Sequence, residues 1–239
     1  ALLAEQAEAS GTGAAPRKWT SLQATAGSAV FVGIDGLVVA ADTMAVNINR
    51  ASDGTDNVVD YTEVGLDVLV GPGQTFTLDM DGARGNLIEA SGAVEINLFN
   101  FFSVVGEFAF VKQVETVTLS NGETIEVDLM TIGGSNINAF AGLNGGTPDA
   151  LGLSLGETNF ALALMTDRKD PTRKFTSLQA GVGSAAFVGI DGLVLSADTL
   201  AVEINRGLRL PAVPERTDTA NTVYTLQVFD GTVGTLTFT

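Results

Sequence analysis

Phe31-Val32-Gly33-Ile34-Asp35-Gly36-Leu37-Val38-Val39-Ala40-Ala41-Asp42-Thr43-Met44-Ala45-Val46-Asn47-Ile48-Asn49-Arg50 is the stretch from which the fold is read. A Gly-Ile-Asp-Gly turn opens it, and Leu37, Val39 and Ala41 then alternate along the chain. After Asp42-Thr43 the apolar positions move by one residue, to Met44, Val46 and Ile48. Period-two spacing describes a strand with one apolar face, and a one-residue change of phase describes a corner or bulge within it.

The stretch returns almost unchanged. Arg17 to Arg50 repeats as Arg173 to Arg206 at an offset of 156 residues, with 26 of 34 positions identical and most of the rest conservative, such as Trp19/Phe175 and Met44/Leu200. So long a period describes successive modules of an array. The module bounds are then 1–16 for the tail of a preceding module and its linker, 17–172 for one complete module, and 173–239 for a partial second module. The departure from the first copy after Arg206 suits a terminal cap.

A weaker motif of the form Gly/Asp-apolar-Asp/Asn-Gly recurs inside the module, at Gly33–Gly36, Asp79–Gly82, Gly142–Gly145 and Gly189–Gly192, in steps of 46, 63 and 47 residues. Leu151, Leu153, Leu155 and then Phe160, Leu162, Leu164 repeat the alternation, with the change of phase near Gly156-Glu157. Val94, Ile96 and Leu98 precede a run with Phe102, Val104, Phe108 and Phe110. Asn121-Gly122, between two alternating runs, predicts a hairpin with a type I′ turn. A short helix at Ala1 to Ala9 is the one exception. The expected fold is all-β, as an elongated β-solenoid-like repeat with tandem β-sandwich modules as the alternative.

Composition narrows the function. With no Cys and no His, the chain has no disulfide, no thiolate or imidazole metal ligand and no Ser-His-Asp or Cys-His triad. A net charge of -16 repels nucleic-acid phosphates and anionic lipid. No apolar run reaches the roughly 18 to 20 residues of a membrane helix. The first residues lack the basic start of a signal peptide, so an export signal is expected elsewhere. Hydrophobic content of 45% with mean hydropathy +0.29 calls for a folded core.

Candidate sites are few. Asp79-Met80-Asp81-Gly82 resembles the opening of a calcium loop, but the twelfth position is Ala90 where a bidentate Glu belongs. Asp35 and Asp191 hold equivalent places in the two copies and would form a carboxylate ladder if the copies stacked. For all four, turn chemistry is the favoured reading and calcium the alternative. Glu123 with Glu126 and Glu63 with Asp67 are carboxylate pairs of the kind glycoside hydrolysis uses, yet no spacing singles them out. Arg17-Lys18, Arg168-Lys169 and Arg173-Lys174 gather at the start of each copy and could set a register against acidic neighbours. Phe99, Phe101, Phe102, Phe108 and Phe110 read as core, although adjacent Phe101 and Phe102 would point to opposite faces of a strand.

The near-identical module, its Phe-Val-Gly-Ile-Asp-Gly-Leu-Val run and the acidic, Cys-free, β-rich composition resemble the large repetitive exoproteins and adhesins of bacteria. That resemblance implies a place outside the cell or on its surface and a structural role. The repeat-in-toxin calcium nonapeptide is absent from this chain. The leading expectation is a non-enzymatic structural protein of a fibre, stalk or surface layer, whose partners are copies of itself or neighbouring modules. No nucleic acid and no membrane span are expected. A calcium-stabilised adhesin or binding module with a cell-surface or glycan partner comes second, and a carbohydrate-active enzyme third.

Overall fold

The computed structural model describes the backbone of residues 2–4, 17–210, 224–227 and 233–236, and the side chains of 17–210. Apart from one 3₁₀ turn at Gly82–Arg84, the described elements are strands. These are β1 (Leu2–Ala4), β2 (Lys18–Val30), β3 (Leu37–Ala51), β4 (Leu66–Gly71), β5 (Gln74–Leu78), β6 (Leu87–Leu98) and β7 (Phe102–Thr118). They continue with β8 (Thr124–Leu143), β9 (Leu151–Asp167), β10 (Arg173–Val188), β11 (Leu195–Ala197), β12 (Leu200–Arg209), β13 (Tyr224–Gln227) and β14 (Val233–Leu236).

The main sheet is an open antiparallel meander in the order β1-β2-β3-β6-β7-β8-β9-β10-β11, with β12 also on β10. Stacked solenoid coils are not seen among the described residues. The repeated segment forms the hairpin β2–β3 near one edge and β10–β11–β12 at the other. β4 and β5 form a separate hairpin within the excursion 52–86, called the arm below. Leu2–Ala4 is a strand on β2, so the helix expected over Ala1 to Ala9 does not form in those three residues, and the rest of that stretch lies outside the described residues.

Register explains the alternation. One line of cross-strand partners reads Ala24, Val46, Ala90, Phe110, Ile132, Leu162, Leu178, Ile204, and it crosses the sheet on a single face. Nearer the other end a second line reads Val39, Ile96, Val104, Ala139, Leu155, Ala185, Ala197. Both belong to one apolar face only because the phase is corrected between them. β6 and β7 keep even-numbered apolar residues throughout, whereas β3, β8 and β9 change between even and odd, and β10 changes with β9 between Leu178 and Ala185. The change falls at Thr43, Asn136 and Glu157, each at positive φ (51°, 53° and 51°), beside register shifts in the ladder. Two of these three bulges are the phase changes expected near Asp42-Thr43 and Gly156-Glu157.

The turns correct two expectations. Asn121-Gly122 does close a hairpin, but only Gly122 has positive φ, and Gly122 donates to the Leu119 carbonyl while Leu119 donates to Glu123. That is a type I turn followed by a left-handed glycine, in place of type I′. Two successive left-handed residues occur instead at Phe99 (53°) and Asn100 (59°), where Phe101 donates to the Leu98 carbonyl. Phe99 and Phe101 therefore sit in a turn, exposed, and only Phe102 enters the strand.

Several glycines of the recurring motif serve close approach, although Gly33 and Gly192 have nothing within 4 Å among the described residues. A Cβ on Gly36 would lie 2.8 Å from the Phe99 ring, and Gly36 accepts the Phe99 amide. Gly145 donates to Asn100. The turns at this end of the sheet are thus tied to one another. The 79–82 copy of the motif differs, since it lies in the arm and opens no strand of the main sheet.

Asn136→Val, which puts a β-branched residue into the left-handed bulge, is expected to lose about 1–2 kcal/mol in urea denaturation while Asn136→Gly is tolerated.

Candidate functional site

The two faces of the sheet differ. The apolar face has no covering layer among the described residues. Leu22, Leu98, Phe102, Leu153 and Val202 remain exposed on it or at its rim. The other face carries Ser21, Gln23, Asn47, Asn49 and Glu89 at its first strands, and there the arm docks.

Docking is polar at its centre. Ser21 Oγ donates to Asn49 Oδ1 (3.1 Å), Tyr61 Oη donates to Ser21 Oγ (2.8 Å), and Asn49 Nδ2 donates to the Val59 carbonyl (2.7 Å). Ser21 and Asn49 are 1% and 0% exposed. Full burial of two polar side chains is tolerable only because each bond is made, since an unmade one would cost roughly 1–3 kcal/mol. Around them Tyr61, Leu78 and Met80 form a small core, backed by Val59, Leu66, Val68 and Phe76. Ala51, Leu87, Ile125 and Val127, also buried, lie on the same face by register. Gln23 completes the grip by donating to Asp79 and accepting the Asp79 amide.

Charges fasten the arm and the turns at that end. Arg168 pairs with Asp56 of the arm and with Asp128. Arg173 binds both oxygens of Glu123 (3.0 and 2.9 Å) and reaches the buried Asp167 (3.0 Å). The Arg173 bond holds the Glu123 carboxyl below its usual range. Asp170 accepts from the Thr172 hydroxyl and from Arg209, and these bonds lower its pKa to about 2. Arg17 stacks on Trp19 and lies 4.0 Å from Asp53. Arg168 is therefore paired within the complete module, while Arg173, the first residue of the second copy, pairs with acidic residues of the module before it, and both were legible as candidates from their clustering in sequence.

The four candidate calcium ligands are not brought together. Asp79 is held by Gln23, and Asp81 caps the 3₁₀ turn through the Ala83 amide. Gly82 of that motif is fixed by packing: its Cβ would meet Asp60 Cβ at 2.6 Å, and its amide donates to Asp60. Asp35 and Asp191 sit on turns six strand spacings apart, about 29 Å at ~4.8 Å per spacing, so they cannot share an ion within one chain. No group of three or more acidic residues suited to a metal occurs among the described residues. Glu123 and Glu126 lie three residues apart on extended chain, hence on opposite sides, and Glu123 is committed to Arg173. Asp67 accepts the Thr77 hydroxyl in the β4–β5 hairpin.

The residues that sequence reasoning missed are Ser21, Asn49 and Tyr61. The signal available was the repeat of Ser21 and Asn49 as Ser177 and Asn205. No known protein family, curated protein or solved structure matches this chain. No described helix is long and apolar enough to cross a membrane.

Tyr61→Phe is expected to lower stability by about 1–2 kcal/mol, measured by chemical denaturation, because it removes the donor to buried Ser21. Asp170 has a lowered pKa, so its stabilising effect is complete above about pH 4 and disappears as the pH falls toward about 2. A carboxyl titration followed by NMR should find a midpoint near 2, which Arg209→Ala moves upward.

Proposed function

We propose that the chain is part of a structural repeat protein of an extracellular fibre, stalk or surface layer, in which one antiparallel sheet runs on from module to module. The observation that carries this reading is a repeated register. Leu164, Met165 and Thr166 of β9 pair with Thr176, Phe175 and Lys174 of β10. Leu2, Leu3 and Ala4 of β1 pair with Thr20, Trp19 and Lys18 of β2, the same three positions of the first copy. Glu5 follows Ala4 as Asp167 follows Thr166. β1 thus stands toward the first copy as the end of β9 stands toward the second, which supports β1 as the end of a β9-like strand.

Asymmetry between the copies supports the same reading. Gly36 lies against the Phe99 ring, but Gly192, its counterpart, has nothing within 4 Å among the described residues. Beyond Thr20 the outer edge of β2 has no partner among the described residues, and such an edge pairs readily with another strand. A sheet lengthened strand by strand is the form that this reading gives to the elongated architecture expected from the repeat. Neighbouring modules or further copies of the chain are its partners, and no residue is assigned a catalytic role.

Electron microscopy and fibre diffraction of concentrated protein test the proposal. Elongated assemblies with a strand spacing near 4.7–4.8 Å are expected. Compact monomers alone, at every concentration reached, would sink it.

A further inference from the structure

The second copy repeats the arm's docking site without an arm described on it. Ser177 Oγ donates to Asn205 Oδ1 at 3.0 Å, as Ser21 does to Asn49 at 3.1 Å. Gln179 stands where Gln23 stands. Yet Asn205 is exposed and Ser177 only half-buried, whereas Asn49 and Ser21 are 0% and 1% exposed. A serine and asparagine bonded in this way on a strand face have no need of each other in water; in the first copy they form the floor for a tyrosine and a carbonyl.

The ground beside them is open. A trough of about 580 Å³ runs from this pair across the same face, floored by Thr131, Gly133, Ala161 and Ala163. Partners in register make the floor continuous, as Thr131–Ala163–Ser177–Asn205 and Gly133–Ala161–Gln179–Glu203. Small side chains on neighbouring strands leave room for a covering element about one hairpin thick.

The chain has two tyrosines, Tyr61 and Tyr224. Tyr61 lies 12 residues beyond Asn49 and precedes the hairpin β4–β5; Tyr224 lies 19 residues beyond Asn205 and opens the hairpin β13–β14. Each follows a copy of the same Ser–Asn strand pair. We infer that the Ser177–Asn205 site is the docking site of a second arm, and that the arm is this chain's own β13–β14 hairpin, with the Tyr224 hydroxyl donating to Ser177. One contact of the first arm is not repeated. Glu203 stands opposite Gln179 where Asn47 stands opposite Gln23, so an acid in the place of Asp79 would be repelled. The second arm is held by its tyrosine, by a backbone carbonyl on Asn205 and by apolar cover of the trough. The inference stands whether or not modules join into an array.

Two tyrosines make the test direct. The full chain is labelled with 3-fluorotyrosine, and Tyr224→Phe assigns the two ¹⁹F resonances. Tyr224 is expected to be as well protected from a soluble paramagnetic reagent as Tyr61. Ser177→Ala with Asn205→Ala should remove the protection of Tyr224 and leave that of Tyr61 intact, which also shows that the variant is folded. Full accessibility of Tyr224 in the unaltered chain, or protection indifferent to the double substitution, overturns the inference. Protection lost on dilution overturns it too, since the occupant would then be a second copy.

Discussion

The hydrogen-bonded ladder between long antiparallel strands holds this protein together, because the sheet is a single layer among the described residues. Buried apolar side chains are few and, except for Ile137 at the β8 bulge, lie in the arm or on the face of the sheet that it meets. Elsewhere each strand is kept in place by its two neighbours and by half-buried partners in register. Cross-strand contacts of this kind contribute roughly 0.2–1 kcal/mol each, so cohesion is spread over many small terms. Such a design tolerates extension, since a further strand finds the same surroundings as the last.

Spread-out cohesion makes phase the governing constraint. A strand of 15 to 20 residues such as β3, β8 or β9 accumulates twist, and a bulge increases it locally. Thr43, Asn136 and Glu157 each insert that local bend, and the residues beyond them change parity to remain on the apolar face. Opposite Glu157 stands Gly183, where a Cβ would come within 2.9 Å of the Glu157 Cβ. The bulge in one strand thus dictates the absence of a side chain in the next.

Much of this was legible in the sequence. The repeat, the all-β character and two of the three bulges follow from alternation and its interruption. The Phe99-Asn100 turn was hidden because a bulky aromatic at positive φ runs against turn chemistry, and only its seating on Gly36 allows it. The arm was hidden for a different reason. Ser21 and Asn49 look like solvent-facing strand residues, and their burial depends on Tyr61, 40 and 12 residues away, which no local pattern reveals. The acidic motifs pointed to calcium because Asp-x-Asp-Gly is shared by ion loops and by ordinary capped turns. At Asp79–Gly82 the packing of Gly82 on Asp60 accounts for the glycine.

The shared register at β1–β2 and β9–β10 has a consequence for how such a gene changes. In the array proposed above, recombination between the segments that encode the two copies would insert or remove 156 residues in frame. The junction falls inside a hairpin whose copies meet their neighbours at equivalent positions, so the product has no misaligned strand to repair. An array of the kind proposed would therefore change in length by whole modules while the register at each joint is kept.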